Sequence, residues 1–177
     1  IVNCTVMPGF ITGAEYPPGA GMGGSAAMAI LDGRGGVASE LAAGVGWQDP
    51  AIILETGLCV WRSGPRPELV VKRDPWPMLG GRMAILWTGH VHCTADIVDK
   101  KRPYDMIVRA GQMAAKGVER GDYMGLAGAV SLSYAAQQAE GMEPLDAYNS
   151  LARKYCGAGW GGYALYLFAS SVERDGF

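Results

Sequence analysis

The chain is poor in the features that mark several functional classes. Basic residues are not in excess, since 15 Lys and Arg face 17 Asp and Glu for a formal charge of −2. The electrostatic footprint of a nucleic-acid-binding surface is therefore missing. Every apolar run is broken by Gly or Pro before it reaches the length of a bilayer span, so no membrane partner is expected. The first residues lack the basic-then-apolar pattern of a secretory signal. The four cysteines, Cys4, Cys59, Cys93 and Cys156, show no paired metal spacing. Cys59 and Cys156 sit in apolar or Gly-rich runs, where reduced, buried thiols are expected. The chain thus reads as a cytoplasmic protein with free thiols. Only two histidines are present, and His90, His92 and Cys93 share one short element without a fourth, distant ligand, which argues against zinc. No internal repeat or low-complexity tail occurs.

Glycine, in contrast, is abundant, at 27 of 177 residues. Four glycines fall between Gly19 and Gly24, inside Pro17-Pro18-Gly19-Ala20-Gly21-Met22-Gly23-Gly24-Ser25-Ala26-Ala27. Backbone without Cβ atoms can approach a ligand closely. The helix-prone run from Ser25 to Leu31 adds unpaired N–H groups and a positive dipole end. Together they suit an anion, phosphate above all. A Walker-type loop is excluded, because no Gly-Lys-Ser/Thr follows the glycines, and Pro17-Pro18 disfavours a dinucleotide fingerprint. The plainer alternative is a flexible loop capped by Ser25. A second Gly-rich turn spans Gly157-Ala158-Gly159-Trp160-Gly161-Gly162, before an apolar run from Tyr163. Tight packing alone would also account for it. Gly46-Trp47-Gln48-Asp49-Pro50 places a carboxylate on a constrained turn, which by itself is more often a turn residue than a base.

Periodicity predicts strands at Ile1–Val6, Phe10–Tyr16, Gly57–Arg62, Glu68–Lys72, Arg82–Thr88 (buried) and Tyr163–Ala169, the last a central strand. Helices are predicted at Ser25–Leu31, Val37–Ala43, Ala51–Leu54, Ala95–Lys100, Pro103–Glu119, Tyr123–Glu140 and Pro144–Tyr155. Met106, Ala110, Met113 and Gly117 recur at helical spacing and read as a core stripe. Strands and helices mix without regular βαβ alternation, so the fold class is α+β.

In combination these elements resemble the GHMP kinase superfamily, the galacto-, homoserine, mevalonate and phosphomevalonate kinases. Pro17 to Ala27 follows that family's Pro-Pro-Gly-Ser/Ala-Gly-Leu-Gly-Ser-Ser-Ala-Ala motif. Gly157 to Phe168 follows its Gly-Ala-Gly-Gly-Gly-Gly turn and apolar strand, with Trp160 in place of one glycine. Gly46 to Asp49 resembles the Gly-Gly-Trp/Lys-Gln-Asp-Gln element of the sugar-1-kinase branch, the fucokinases and heptose-phosphate kinases. Leu86-Trp87-Thr88-Gly89 is similar to that branch's Tyr/Phe-Thr-Gly strand end, although His90-Val91-His92-Cys93 replaces the usual x-x-Arg-Ser.

The resemblance implies a two-part fold, with an abbreviated ribosomal-protein-like N-terminal part (1–78) carrying the phosphate loop and a ferredoxin-like C-terminal part (79–177). It implies ATP- and Mg²⁺-dependent phosphorylation of a small molecule, a sugar or sugar phosphate at its anomeric hydroxyl. A non-catalytic relative, or a kinase of a non-sugar alcohol such as mevalonate, is the alternative. By the same resemblance Pro18, Gly19, Ala20, Gly21, Met22, Gly23, Gly24, Ser25 and Ala26 would wrap the nucleotide phosphates. Ser25 and Glu40 would hold Mg²⁺, and Asp49 would be the general base. Gly157, Ala158 and Gly159 would shape the site floor, with Thr88 and Gly89 near the acceptor. Lys154 either faces phosphate or is a solvated helix-end lysine. The family's Pro-Gly-Arg-Val/Leu-Asp/Asn-Leu-Gly-Gly-type motif is absent, and only Met7 to Tyr16 separates the first strand from the phosphate loop. Of two explanations, a compact homologue or part of a longer chain, these abrupt joints favour the second.

Overall fold

The computed structural model describes residues 33, 35, 51, 55, 57–63, 67–90 and 100–177. The elements expected at Ile1–Val6, Phe10–Tyr16, Ser25–Leu31 and Val37–Ala43 lie outside these residues. So do all but Ala51 of the helix expected at Ala51–Leu54 and all but Lys100 of the one expected at Ala95–Lys100.

A hairpin comes first. Strands β1 (Leu58–Arg62) and β2 (Glu68–Arg73) pair antiparallel. Val60 opposes Val71 and Trp61 opposes Leu69, so Val70 is an extra residue in β2 and turns outward. Leu58, Cys59 and Val60 are buried, whereas β2 alternates between half-buried and exposed positions. The Arg62–Glu68 ion pair at the loop end of the hairpin is exposed and adds little. Asp74 then turns the chain, its carboxylate accepting the Trp76 N–H at 3.0 Å. One helical turn follows, α1 (Trp76–Leu79), burying Met78 and Leu79.

The second sheet has three antiparallel strands: β3 (Met83–Trp87), β4 (Ala152–Tyr155) and β5 (Tyr163–Leu167), in the order β3-β5-β4. The expected central strand is thus β5, bonded on both edges. Its side chains alternate between two faces. Leu165 and Leu167 join Leu58, Val60, Met78, Leu79, Val118, Leu126, Ala127, Val130 and Ala152 in the main core. Ala164 and Tyr166, with Phe168 beyond the strand end, pack with Ala84, Leu86 and Leu145 on the opposite face. Burial there pushes the Tyr166 hydroxyl up to about 12. Strand β3 is less enclosed than its apolar sequence suggests, with Ile85 40% exposed. Among the described residues it lies on the edge of the sheet, with no strand neighbour on one side.

Between β3 and β4 run helices α2 (Tyr104–Arg120) and α3 (Tyr123–Ala139), close to the expected bounds. Asp105 in the first turn of α2 and Arg120 in its last complement the helix dipole. The helix stops at Gly121, left-handed at φ 69°, and the Asp122 N–H returns to the Gly117 carbonyl at 2.8 Å. Asp122 then caps α3, its carboxylate accepting the Gly125 N–H at 2.9 Å. Gly117 permits the close crossing, because a Cβ there would lie 2.9 Å from the Leu126 nitrogen. The expected stripe is corrected at one position. Ala110 and Gly117 are buried, but Met113 is exposed, and the core row passes through half-buried Ala114 to Val118. At about 100° per residue Met113 lies about 140° around the helix from fully buried Val118, at the rim of the buried face.

The helix expected at Pro144–Tyr155 is not formed. Tyr148 and Asn149 adopt left-handed φ values of 46° and 55°, which end any helix. The Leu151 N–H bonds the Leu167 carbonyl at 2.8 Å, and β4 continues as the second partner of β5. Apolar spacing over a short segment fits helix and strand alike, and the unpaired edge of β5 decides between them. Lys154 consequently lies on a strand and is not a solvated helix-end lysine. The final short helix is α4 (Ser171–Asp175), capped by Ser170.

Leu167 is fully enclosed where the sheet meets the helices. Leu167→Ala is expected to destabilise the protein by about 2–5 kcal/mol in urea unfolding. A loss under about 1 kcal/mol would show that this core is misplaced.

Candidate functional site at the β5 entry

Strands β3 and β4 both run antiparallel to β5, so both run out at the end where β5 begins. Trp87 pairs with Tyr163 and Tyr155 with Ala164, which places Thr88–His90 and the Gly157–Gly162 turn side by side. The contact is polar and specific. The Gly162 carbonyl accepts from the Thr88 N–H at 2.9 Å and from the Thr88 hydroxyl at 2.7 Å, and the Gly162 N–H donates to the His90 carbonyl at 2.7 Å. A Cβ on Gly161 would lie 2.8 Å from that carbonyl, so the turn can approach only as glycine. Gly159 is similarly closed by the Met142 sulfur, whereas Gly89 and Gly157 face open space. Backbone at those two positions is accessible to a ligand.

The root of the turn is tied to α3. The buried Gln137 amide donates to the Tyr155 carbonyl at 3.1 Å and accepts the Tyr155 N–H at 2.9 Å. The same carbonyl accepts from the Lys154 ammonium at 2.7 Å. Lys154 keeps some exposed surface along its length, yet its ammonium is enclosed, and burial lowers its pKa. No acidic partner reaches it among the described residues. Tyr155 anchors the strand end through its hydroxyl, which donates to the Glu143 carbonyl at 3.0 Å, and burial raises its pKa.

Of the site residues expected from sequence, Thr88, Gly89, Gly157, Ala158 and Gly159 gather at this end of the sheet. Pro18 to Ala26, Glu40 and Asp49 lie outside the described residues. His92 and Cys93 do too, and no three His, Cys, Asp or Glu side chains come together as a metal site among the described residues. Among the described residues no helix is long and apolar enough to cross a membrane. Cys59 is buried and Cys156 half-buried. Sequence reasoning missed Gln137 and Lys100. Gln137 interrupts an otherwise apolar helix face, which is a usable signal, but neighbouring Gln138 carries the same one.

Compared with known proteins, the chain matches no family model and no curated protein. Among solved structures it is similar to the mevalonate kinase of L. major, crystallised in complex with R-mevalonate. The TM-score is 0.59 at 20% identity, over 89% of this chain and 60% of that one. At this identity the likeness is one of fold: the chain has the mixed helix-and-sheet fold of a mevalonate kinase, across 60% of that protein's length.

A lysine of lowered pKa penalises the folded state most where both folded and unfolded forms are protonated. As pH rises from the folded value towards about 10.4, the native state releases its proton first and stability increases. Lys154→Met is therefore expected to raise the thermal midpoint at pH 7, with the gain shrinking towards pH 10. A lower midpoint for Lys154→Met at pH 7 would mean that the ammonium is favourably paired.

Proposed function

We propose that the chain is part of an ATP-dependent small-molecule kinase of the GHMP type, a phosphotransferase with an alcohol acceptor. The carrying observation is the junction of Thr88-Gly89 with the Gly157–Gly162 turn at one end of a sheet whose fold is shared with a mevalonate kinase. In this reading the division into 1–78 and 79–177 follows the two parts of such kinases.

The roles follow from the chemistry each residue can supply. Main-chain N–H groups from Pro18 to Ala26 would hold the nucleotide phosphates, and Ser25 with Glu40 would hold Mg²⁺. When bound, Mg·ATP supplies the phosphoryl group and offsets its developing charge. Asp49 would accept the proton of the acceptor hydroxyl, which suits a reaction dominated by positioning. Gly157, Ala158 and Gly159 would line the floor. Thr88 already donates its hydroxyl proton to Gly162, so towards an acceptor it can only accept a hydrogen bond.

Two acceptor classes have specific support. Gly46-Trp47-Gln48-Asp49 and Thr88-Gly89 favour a sugar or sugar phosphate, phosphorylated at the anomeric hydroxyl. The R-mevalonate carried by the similar structure favours a non-sugar alcohol equally.

The test is turnover of ATP with Mg²⁺ against a panel of sugars, sugar phosphates and R-mevalonate. Asp49→Asn is expected to lower kcat by about 10²–10⁴-fold. Unchanged turnover would remove Asp49 as the base. Binding of a non-hydrolysable ATP analogue without turnover on any acceptor would instead mark a non-catalytic relative.

A further inference from the structure

Trp160 stands in the glycine turn at φ 64°, a left-handed conformation that is uncommon for a bulky side chain. Such strain persists only where surrounding contacts over-determine it, and it clusters at functional positions. Here the contacts are visible. The Lys100 ammonium lies 3.7 Å from the centroid of the indole ring. The far edge of that ring lies against Gly141, just beyond the end of α3. The indole N–H is buried without a hydrogen-bond partner among the described residues. Two residues on, Arg102 approaches Glu140 at 3.7 Å, whose carboxylate side chain is only 2% exposed. The segment entering α2 is thus tethered twice, to the turn through Trp160 and to the end of α3 through Glu140.

We propose that Lys100 and Trp160 form a latch that holds the Gly157–Gly162 turn in its ligand-facing conformation, with Lys100 a positioning residue that touches no ligand. Glycine alone would let this turn sample many conformations, and an aromatic wedge under a cation narrows them to one. Thr88 and His90 are bonded to Gly162, so a fixed turn also fixes the strand end opposite. The effect on ligand binding rests on the kinase reading, whereas the effect on the turn does not.

The test uses the full chain with Lys100→Met, which keeps the stem and removes the charge, and Lys100→Arg, which keeps the cation. Lys100 is exposed, so neither change disturbs the core. Hydrogen exchange at the Gly159, Gly162 and Thr88 amides is expected to quicken about two- to fivefold in Lys100→Met and to return in Lys100→Arg. Amides of β5 beyond Tyr163 and of α3 should not change. Calorimetric affinity for β,γ-imido-ATP with Mg²⁺ should fall by a similar factor in Lys100→Met alone. Unchanged exchange at Gly159 and Gly162, or equal quickening throughout β5 and α3, overturns the latch. A loosened turn with unaltered nucleotide affinity overturns the positioning role. If the unmodified protein binds no nucleotide analogue, the kinase reading fails, and exchange alone still decides the latch.

Discussion

Strand β5 is hydrogen-bonded along both edges and covered on both faces, and the geometry of the site follows from that double constraint. A strand paired on both sides must satisfy its neighbours' register together. Leu165 and Leu167 face the helices and the β1–β2 hairpin, while Ala164 and Tyr166 face Leu86 and Leu145. A slip of one residue would exchange these sets and bury none of them well. Because β3 and β4 are both antiparallel to β5, their final residues emerge together at its start. That topological fact brings Thr88-Gly89 to the glycine turn.

At this end of the sheet, the backbone groups of Tyr155 and Gly162 are matched by specific partners. The Tyr155 backbone is clamped by Gln137, and the Gly162 backbone by Thr88 and His90. Buried backbone groups need such partners, so the turn's path is set by pairing as much as by its glycines. Lys154 and Glu140 place charge close to this polar frame. Buried charge seldom adds stability without a close partner, so groups of this kind are the first to examine in a candidate binding site.

Legibility in the sequence followed the length and regularity of each segment. Helices α2 and α3 have repeated apolar positions over many turns, and their bounds came within a residue or so. Strand β5 was legible because five consecutive apolar or aromatic residues follow a glycine-rich turn. The segment ending at Tyr155 was misread as helix because its spacing carries no directional information and the left-handed pair Tyr148-Asn149 has no strong local signature. Met113 keeps the helical spacing yet lies at the rim of the buried face, because the packing against α3 and the sheet centres that face on Ala114 and Val118. Thr88, Gly89 and the turn were legible as glycine punctuation at strand ends. Gln137 and Lys100 were not, since each acts on a residue distant in sequence.

The sequence by itself determined the α+β class, the two long helices, the central strand and the glycine-rich turn, because each depends on local periodicity or on backbone freedom. Only the tertiary structure decided that Ala152–Tyr155 is a strand, that Lys154 is enclosed and that Lys100 lies over Trp160. Those outcomes depend on which hydrogen-bonding edge, buried volume or charge a segment meets after the chain has closed on itself. No local pattern encodes that meeting.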